Sequence, residues 1–290
     1  MEPKRELRVA HSPDADDIFM YYAIKFGWIE SNIIDFSNIA LDIETLNKEA
    51  MKNTYDITAI SFGMYPKIKD EYALLKTAVS FGEGYGPKLI KKKNKPLKRK
   101  FKVALSGENT TNALLFRIAY PDAKIVYKNF LEIEKAVLEN EVDAGVLIHE
   151  SILDFDESLE VERELWDIWL DLAKEELPLP LGGMAIRRSI PLNVAIESEE
   201  VLTKAVKIAS SNARLASEML LERNLIRVDK EKLKHYLNLY ANKNSISMND
   251  IQKKAVDKLF KIGYESGFFD EAIKCEDYFI PCQYKELRSL

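Results

Sequence analysis

Several things are scarce in this chain, and each scarcity excludes a class of protein. Two cysteines occur, Cys275 and Cys282, both near the C-terminus and without a nearby histidine pair, so neither a disulfide framework nor a zinc-ligand spacing is present. No run of about 18 apolar residues occurs, so no segment reads as a membrane-spanning helix. The N-terminus runs from Met1 straight into a strand-like segment without an apolar signal core, and the expectation is a cytoplasmic protein. Charge of one sign is in small excess: 47 acids face 42 bases, a net charge of −5, which provides no field to gather nucleic acid or an anionic membrane. Glycine clusters are also rare. The stretch Gly82-Glu83-Gly84-Tyr85-Gly86 precedes a strand rather than a helix, and no P-loop, dinucleotide fingerprint or serine elbow is found.

What is there is a long α/β pattern. With 290 residues and 47% apolar content, the chain is long enough for one or two lobes with a substantial core. Glu6–Ser12 reads as a strand, and Ser12-Pro13 reads as an N-cap with proline at the first helical position, opening a helix to about Phe26. A strand around Ile39–Ile43, a helix to Met51 and a strand from Asp56 to Ser61 continue the alternation, followed by an apolar strand near Leu89. Lys91–Lys100, with seven basic residues in ten, reads as a solvated connection. The pattern then restarts with strands at Phe101–Leu105, Lys124–Tyr127 and Ala144–Ile148, and helices at Thr110–Ala119 and Leu131–Glu139. A helix bearing Leu165, Trp166, Trp169 and Leu172 leads to Leu177–Gly183, read as a second connection, and from Ser198 onward the chain is mainly amphipathic helix. The expectation is two α/β lobes with mostly parallel sheets: residues 1–97 and 185–290 form the larger lobe, and 98–184 the smaller. This resembles the two-lobed periplasmic-binding-protein fold (type II), with the ligand in a central cleft beyond the carboxyl ends of strands.

The candidate chemistry clusters at strand ends. Ser106–Thr111 lies between a strand and a helix, so its N–H groups and the Thr110 and Thr111 hydroxyls can hold a carboxylate, although either threonine can equally be a helix cap. Ser61 ends a strand from the other lobe. Asp14, Asp16 and Asp17 start a helix, where they complement the macrodipole; Asp14 and Asp17 share a face and can accept hydrogen bonds from a hydroxylated ligand. The adjacent Asp16 and Asp17 point apart and have no further partner in sequence, so no metal is expected. Of the histidines, His235 reads as surface and His11 ends the first strand near the cleft. His149 follows the apolar run Ala144–Ile148, which delivers it to a strand's carboxyl end as either a structural residue or a neutral base.

Taken together, Ser12–Asp17, Ile60–Gly63, Gly107–Thr111, Ile148-His149-Glu150 and Pro178–Gly183 resemble the 1,4-dihydroxy-6-naphthoate synthase family of the futalosine route to menaquinone, over nearly the whole chain. The Ile-His-Glu and Pro-Leu-Pro-Leu-Gly-Gly segments separate it from the sister family, chorismate dehydratase. The resemblance implies a lyase that converts cyclic dehypoxanthine futalosine to 1,4-dihydroxy-6-naphthoate with loss of a sugar-derived fragment, without metal or organic cofactor. It implies His149 as general base, with Ser12, Asp17, Ala59, Ile60, Ser61, Thr110, Thr111, Gly182 and Gly183 as substrate contacts. Asp16 departs from the asparagine common in the family, and Arg187 or Arg188 is the candidate to offset the extra carboxylate. The alternatives are a cytoplasmic sensor for a small carboxylate and the sister dehydratase. The expected partner is a small anionic substrate, and neither nucleic acid nor membrane; the oligomeric state is not encoded in any pattern found.

Overall fold

The computed structural model describes residues 3–223, 229–241 and 243–280. In chain order these contain β1 (Arg5–His11), α1 (Ala15–Lys25), β2 (Ile34–Ala40), α2 (Ile43–Ala50), β3 (Ile57–Ser61), β4 (Tyr72–Leu74), β5 (Ser80–Gly82) and β6 (Lys88–Lys92). There follow β7 (Lys102–Leu105), α3 (Thr111–Ala119), β8 (Lys124–Tyr127), α4 (Ile133–Leu138), β9 (Ala144–Leu147), β10 (Leu159–Glu164), α5 (Leu165–Ala173) and β11 (Leu179–Arg187). Four helices complete the order: α6 (Leu192–Ser211), α7 (Ala213–Glu222), α8 (Lys230–Tyr240) and α9 (Asp250–Glu265). No helix among the described residues is long and apolar enough to cross a membrane.

Two sheets form, one in each lobe of a mixed α/β fold. The first runs β2-β1-β3-β11-β4, with β5 also on β11; the second runs β10-β6-β9-β7-β8. Both contain parallel cores, β1 with β2 and β3, and β7 with β8 and β9. The sheets are more mixed than the βα alternation implies. β11 returns from the other lobe and enters antiparallel to β3, β4 and β5, while β6 runs antiparallel to β9 and β10. Every residue of β3 and of β9 is buried, as their near-continuous apolar runs require of strands covered on both faces.

The strand pairing moves both lobe boundaries from the expected 97/98 and 184/185. β6 belongs to the second sheet and β11 to the first, so the chain crosses within residues 83–87 and again within 174–178. Basic composition marks solvation rather than topology: Lys91–Lys100 links β6 to β7 inside one lobe, and Lys91 Nζ lies 3.1 Å from both Glu160 and Glu162 on the neighbouring strand. Pro180 likewise does not end the strand. β11 accommodates it beside a register shift between Pro180 and Gly182, where the missing N–H interrupts little of the ladder.

Local signals set the helix starts. Asp42, Thr110 and Asn249 each accept a backbone N–H from the first turn of α2, α3 and α9, and Asn249 with Gln252 forms a reciprocal capping box. α1 starts later than expected: Asp14, not Ser12, is its cap residue, and the Ser12 N–H donates instead to Asp17 Oδ2 at 2.7 Å. α1 packs on α6, α7 and α8, so the C-terminal helices cover the first lobe, while α9 touches α5 as well. A buried apolar cluster runs from Phe62 and Tyr65 in the first lobe through Phe116 and Trp169 in the second to Phe260 on α9. Burying a side chain such as Phe260 stabilises by roughly 1.5–3 kcal/mol, so this cluster holds the lobes together as well as filling each of them.

Candidate active site between the lobes

A cavity of about 100 Å³ lies where the carboxyl ends of β1, β3 and β9 face the start of α3. His149 lines it together with Ser12, Asp17, Ala59, Ile60, Ser61, Thr110, Thr111, Gly182 and Gly183, so the ten residues singled out in the sequence converge on one space. Asp14, which the sequence offered with Asp17 as an acceptor on the first turn of the helix, lines it too, as do Ala78, Asn112, Tyr236 and Tyr240, to which no sequence motif pointed. No lysine or arginine is among the lining residues described, which leaves neutral donors to meet an anion.

His149 follows β9 and has a left-handed backbone, φ 54°, a conformation that costs a residue other than glycine on the order of 1 kcal/mol or more. The strain is sustained by what surrounds the ring. Phe130 lies edge-on to the imidazole with centroids 5.0 Å apart, and Nδ1 donates to Asp14 Oδ2 at 2.5 Å. Nε2 is buried, finds no hydrogen-bond partner among the described residues and belongs to the cavity wall. Burial works against the imidazolium, but the Asp14 charge and hydrogen bond, with Glu150 and Asp17 behind them, more than offset it, so His149 titrates above an ordinary histidine. The neighbouring acids move the other way from usual carboxylates. Burial and then Asp14 push Asp17 up to about 7, and the same two causes raise Glu150.

The loop expected to hold an anion is built differently in detail. Thr110 Oγ1 accepts the Ala113 N–H at 3.1 Å and donates to Gly107 O at 3.2 Å, so it is a cap. Thr111 Oγ1 donates to Leu181 O and accepts the Gly63 N–H, both at 2.8 Å, so it is a strut between α3 and the first lobe. Both hydroxyls are therefore engaged within the protein, as are the Ala113 and Leu114 N–H groups, and the donors left to a ligand are the N–H groups of Thr111 and Asn112 at the positive end of the α3 dipole. Ser61 is held by Asn47, whose Oδ1 accepts the Ser61 N–H at 2.9 Å and whose Nδ2 donates to Ser61 Oγ at 3.0 Å. That leaves the Ser61 hydroxyl hydrogen for the cavity. Among the described residues Ser12 Oγ and Asn112 Oδ1 find no partner in the same wall, and neither does His149 Nε2.

Further bonds tie the lobes at this point. Asn109 donates from its backbone and side chain to Glu44 at 2.9 and 3.0 Å, accepts from Asn47 at its carbonyl, and takes Lys67 Nζ on its side-chain oxygen at 3.1 Å. Ala15 N–H donates to Glu150 Oε1 at 2.8 Å. Close backbone approach requires glycine at two of these contacts: a Cβ on Gly63 would come within 2.7 Å of Thr111 Cα, and one on Gly107 within 2.4 Å of Glu44 Oε2. Sequence reading missed Asn47 and Glu44, which carry no motif and share a face of α2 only once that helix is known. Glu150 had a signal, its place beside His149.

Other candidates fall outside the cavity. His11 is buried in the first lobe, donating from Nδ1 to Ser12 O and accepting at Nε2 from Asn38, with its pKa lowered chiefly by burial. His235 is exposed. Arg188 donates to Lys69 O and lies over Tyr278, and neither it nor Arg187 reaches the cavity, so they do not offset an acid there. The Asp16 side chain and Cys282 lie outside the described part of the structure, and Cys275 is a buried free thiol.

Residues 7–265 match the menaquinone biosynthesis family. The chain is 26% identical over 254 residues to the 1,4-dihydroxy-6-naphthoate synthase of Thermus thermophilus, covering 88% of this chain and 92% of that one. A solved structure from Archaeoglobus fulgidus superposes with a TM-score of 0.84 at 35% identity, covering 91% of this chain and 98% of that one. The periplasmic aliphatic sulphonate-binding protein of Escherichia coli shares the fold, with a TM-score of 0.65 at 11% identity, covering 96% of this chain and 92% of that one. With a periplasmic-binding-protein-like fold and a match across most of its length, this chain belongs to the menaquinone biosynthesis family.

Proposed function

We propose that the protein is a 1,4-dihydroxy-6-naphthoate synthase, a carbon-carbon lyase acting on cyclic dehypoxanthine futalosine in the interlobe cavity. The observation that carries this reading is His149, its Nδ1 tied to a carboxylate and its Nε2 unpartnered among the described residues, in a cavity lined by Asp14 and Asp17, by neutral donors and by two tyrosines. The Thermus relative with that named activity matches over 92% of its length.

In this reading Nε2 takes a proton from the substrate, the bond to the sugar-derived fragment breaks, and the electrons left behind complete an aromatic ring. A base of raised pKa suits that step at neutral pH. The α3 N-terminus and Ser61 hold carboxylate and hydroxyl groups, while Tyr236 and Tyr240 offer aromatic surface to the bicyclic part. The packed lobes exclude water and fix the reacting atoms within reach of the base. The test is incubation of purified protein with cyclic dehypoxanthine futalosine, followed by naphthoate absorbance and mass detection of both products. Saturable binding without turnover would make the protein a sensor, and turnover of chorismate instead would make it the sister dehydratase.

A further inference from the structure

We infer that Asp14 is a positioning residue delivered by the first lobe to the base on the second, so that the general base is completed only when the lobes meet. This rests on the reading of His149 as the base. Asp14 stands at the N-cap position of α1 in the first lobe, whereas His149 follows β9 in the second, and their 2.5 Å contact crosses the cleft. The two side chains are 5% and 15% exposed, so water competes little for either group. The next residue in each segment repeats the crossing, through Ala15 N–H and Glu150 Oε1 at 2.8 Å, so the two segments dock in one register.

The division of labour is uneven. The second lobe supplies the left-handed backbone and the Phe130 ring, which place the imidazole but do not choose its tautomer. Only the contact from the first lobe does that: a carboxylate at Nδ1 keeps the proton there and leaves Nε2 as the lone-pair nitrogen facing the cavity. When Nε2 takes the substrate proton, the imidazolium keeps its Nδ1–H on Asp14, which remains ionised, and no bond at Asp14 forms or breaks. The titratable groups facing His149 are Asp14 and Asp17 from the α1 side and Glu150 from its own turn. With the lobes apart, His149 loses the Asp14 contact, and with it the fixed tautomer and much of the raised basicity. The meeting of the lobes is then the event that completes the base.

Two experiments test this. Asp14→Asn should lower kcat by about 10²- to 10⁴-fold while KM stays within about threefold, and should move the acid limb of the kcat/KM profile to lower pH. Normal kcat with an unmoved profile overturns the inference. If His149→Asn is also near normal, the base assignment itself falls; if His149→Asn is inactive and Asp14→Asn is not, only the positioning role falls. The second experiment needs no substitution at Asp14: nitrogen-15 histidine spectra of the wild type should show His149 protonated at Nδ1 and bare at Nε2. In Thr111→Val, which loosens the interlobe contact but keeps both residues, the free protein should show mixed tautomers that sharpen to the Nδ1–H form with 1,4-dihydroxy-6-naphthoate. A wild-type His149 protonated at Nε2, or one indifferent to Thr111→Val, overturns the inference irrespective of how Asp14 variants fold.

Discussion

Replacing Thr111 by valine isolates the strut between the lobes. Valine copies the shape of threonine but removes a hydroxyl that serves two partners, Leu181 O and the Gly63 N–H, both at 2.8 Å. Each of these backbone groups belongs to the first lobe, and each is left without its bond when the lobes are together. An unsatisfied buried polar group costs about 1–3 kcal/mol, so the pair raises the closed form by roughly 2–6 kcal/mol. Open lobes expose both groups to water, so the penalty falls on closure rather than on folding. Even about 2 kcal/mol corresponds to roughly a 30-fold shift between closed and open forms, and a ligand that needs the closed form loses affinity by up to the same factor. Calorimetric titration with 1,4-dihydroxy-6-naphthoate reads the affinity, and small-angle X-ray scattering of the free protein reads the opening as a larger radius of gyration. Thr110→Val is the control: its bonds stay within the second lobe, so it should cost about 1 kcal/mol of stability as a lost cap and leave the radius unchanged. Equal affinity and equal radius for Thr111→Val and wild type would refute the strut.

Three further outcomes follow from the geometry. His149→Asn, which keeps a polar side chain and a residue tolerant of a left-handed backbone, should reduce kcat by about 10²- to 10⁴-fold with product affinity retained; near-normal single-turnover rates would return His149 to a structural role. Gly107→Ala places a methyl within 2.4 Å of Glu44 Oε2 and should break the Glu44–Asn109 pair, lowering Tm by several degrees, whereas an unchanged melt would show that Glu44 moves aside without loss. Asp17, raised to about 7 against about 3.9 unfolded, holds its proton better when folded, so its contribution is full below about pH 4 and is lost as pH rises through about 7. The Tm of wild type minus that of Asp17→Asn should therefore fall across that window, and a pH-independent difference would contradict the shift.

Much of the candidate site's cavity lining was legible because strand ends announce themselves. Ser61 and His149 each follow a short apolar run bounded by polar residues, and a parallel strand of that kind can only deliver its next residue to the carboxyl-end cleft. Thr110 and Thr111 were legible as a helix start, but the engagement of both hydroxyls inside the protein was not, because whether a threonine binds inward or outward depends on the strand that packs opposite it, here β11. The lobe boundaries were misplaced for a related reason. Lysines at 91–100 and prolines at 178 and 180 report solvent and backbone freedom locally, while membership of a sheet is decided by partners such as β9 and β3, which lie far along the chain. Glu44, Asn47 and Asp14 act across the cleft, and no spacing within one segment encodes a partner in the other lobe.

The place of β11 has a consequence for the order of events during synthesis. β4 and β5 do not pair with β3; both hang on β11, which sits between β3 and β4 and is made about a hundred residues after them. The second sheet, by contrast, is drawn wholly from the contiguous stretch 88–164, and its ends are joined by the Leu165 N–H on Pro87 O at 2.8 Å. Local pairings close first because shorter loops lose less entropy, so the inserted lobe matures on a nascent chain whose first lobe still has a gap in its sheet. The half of the site that carries the histidine is therefore finished before the half that carries its aspartate has a complete sheet to stand on.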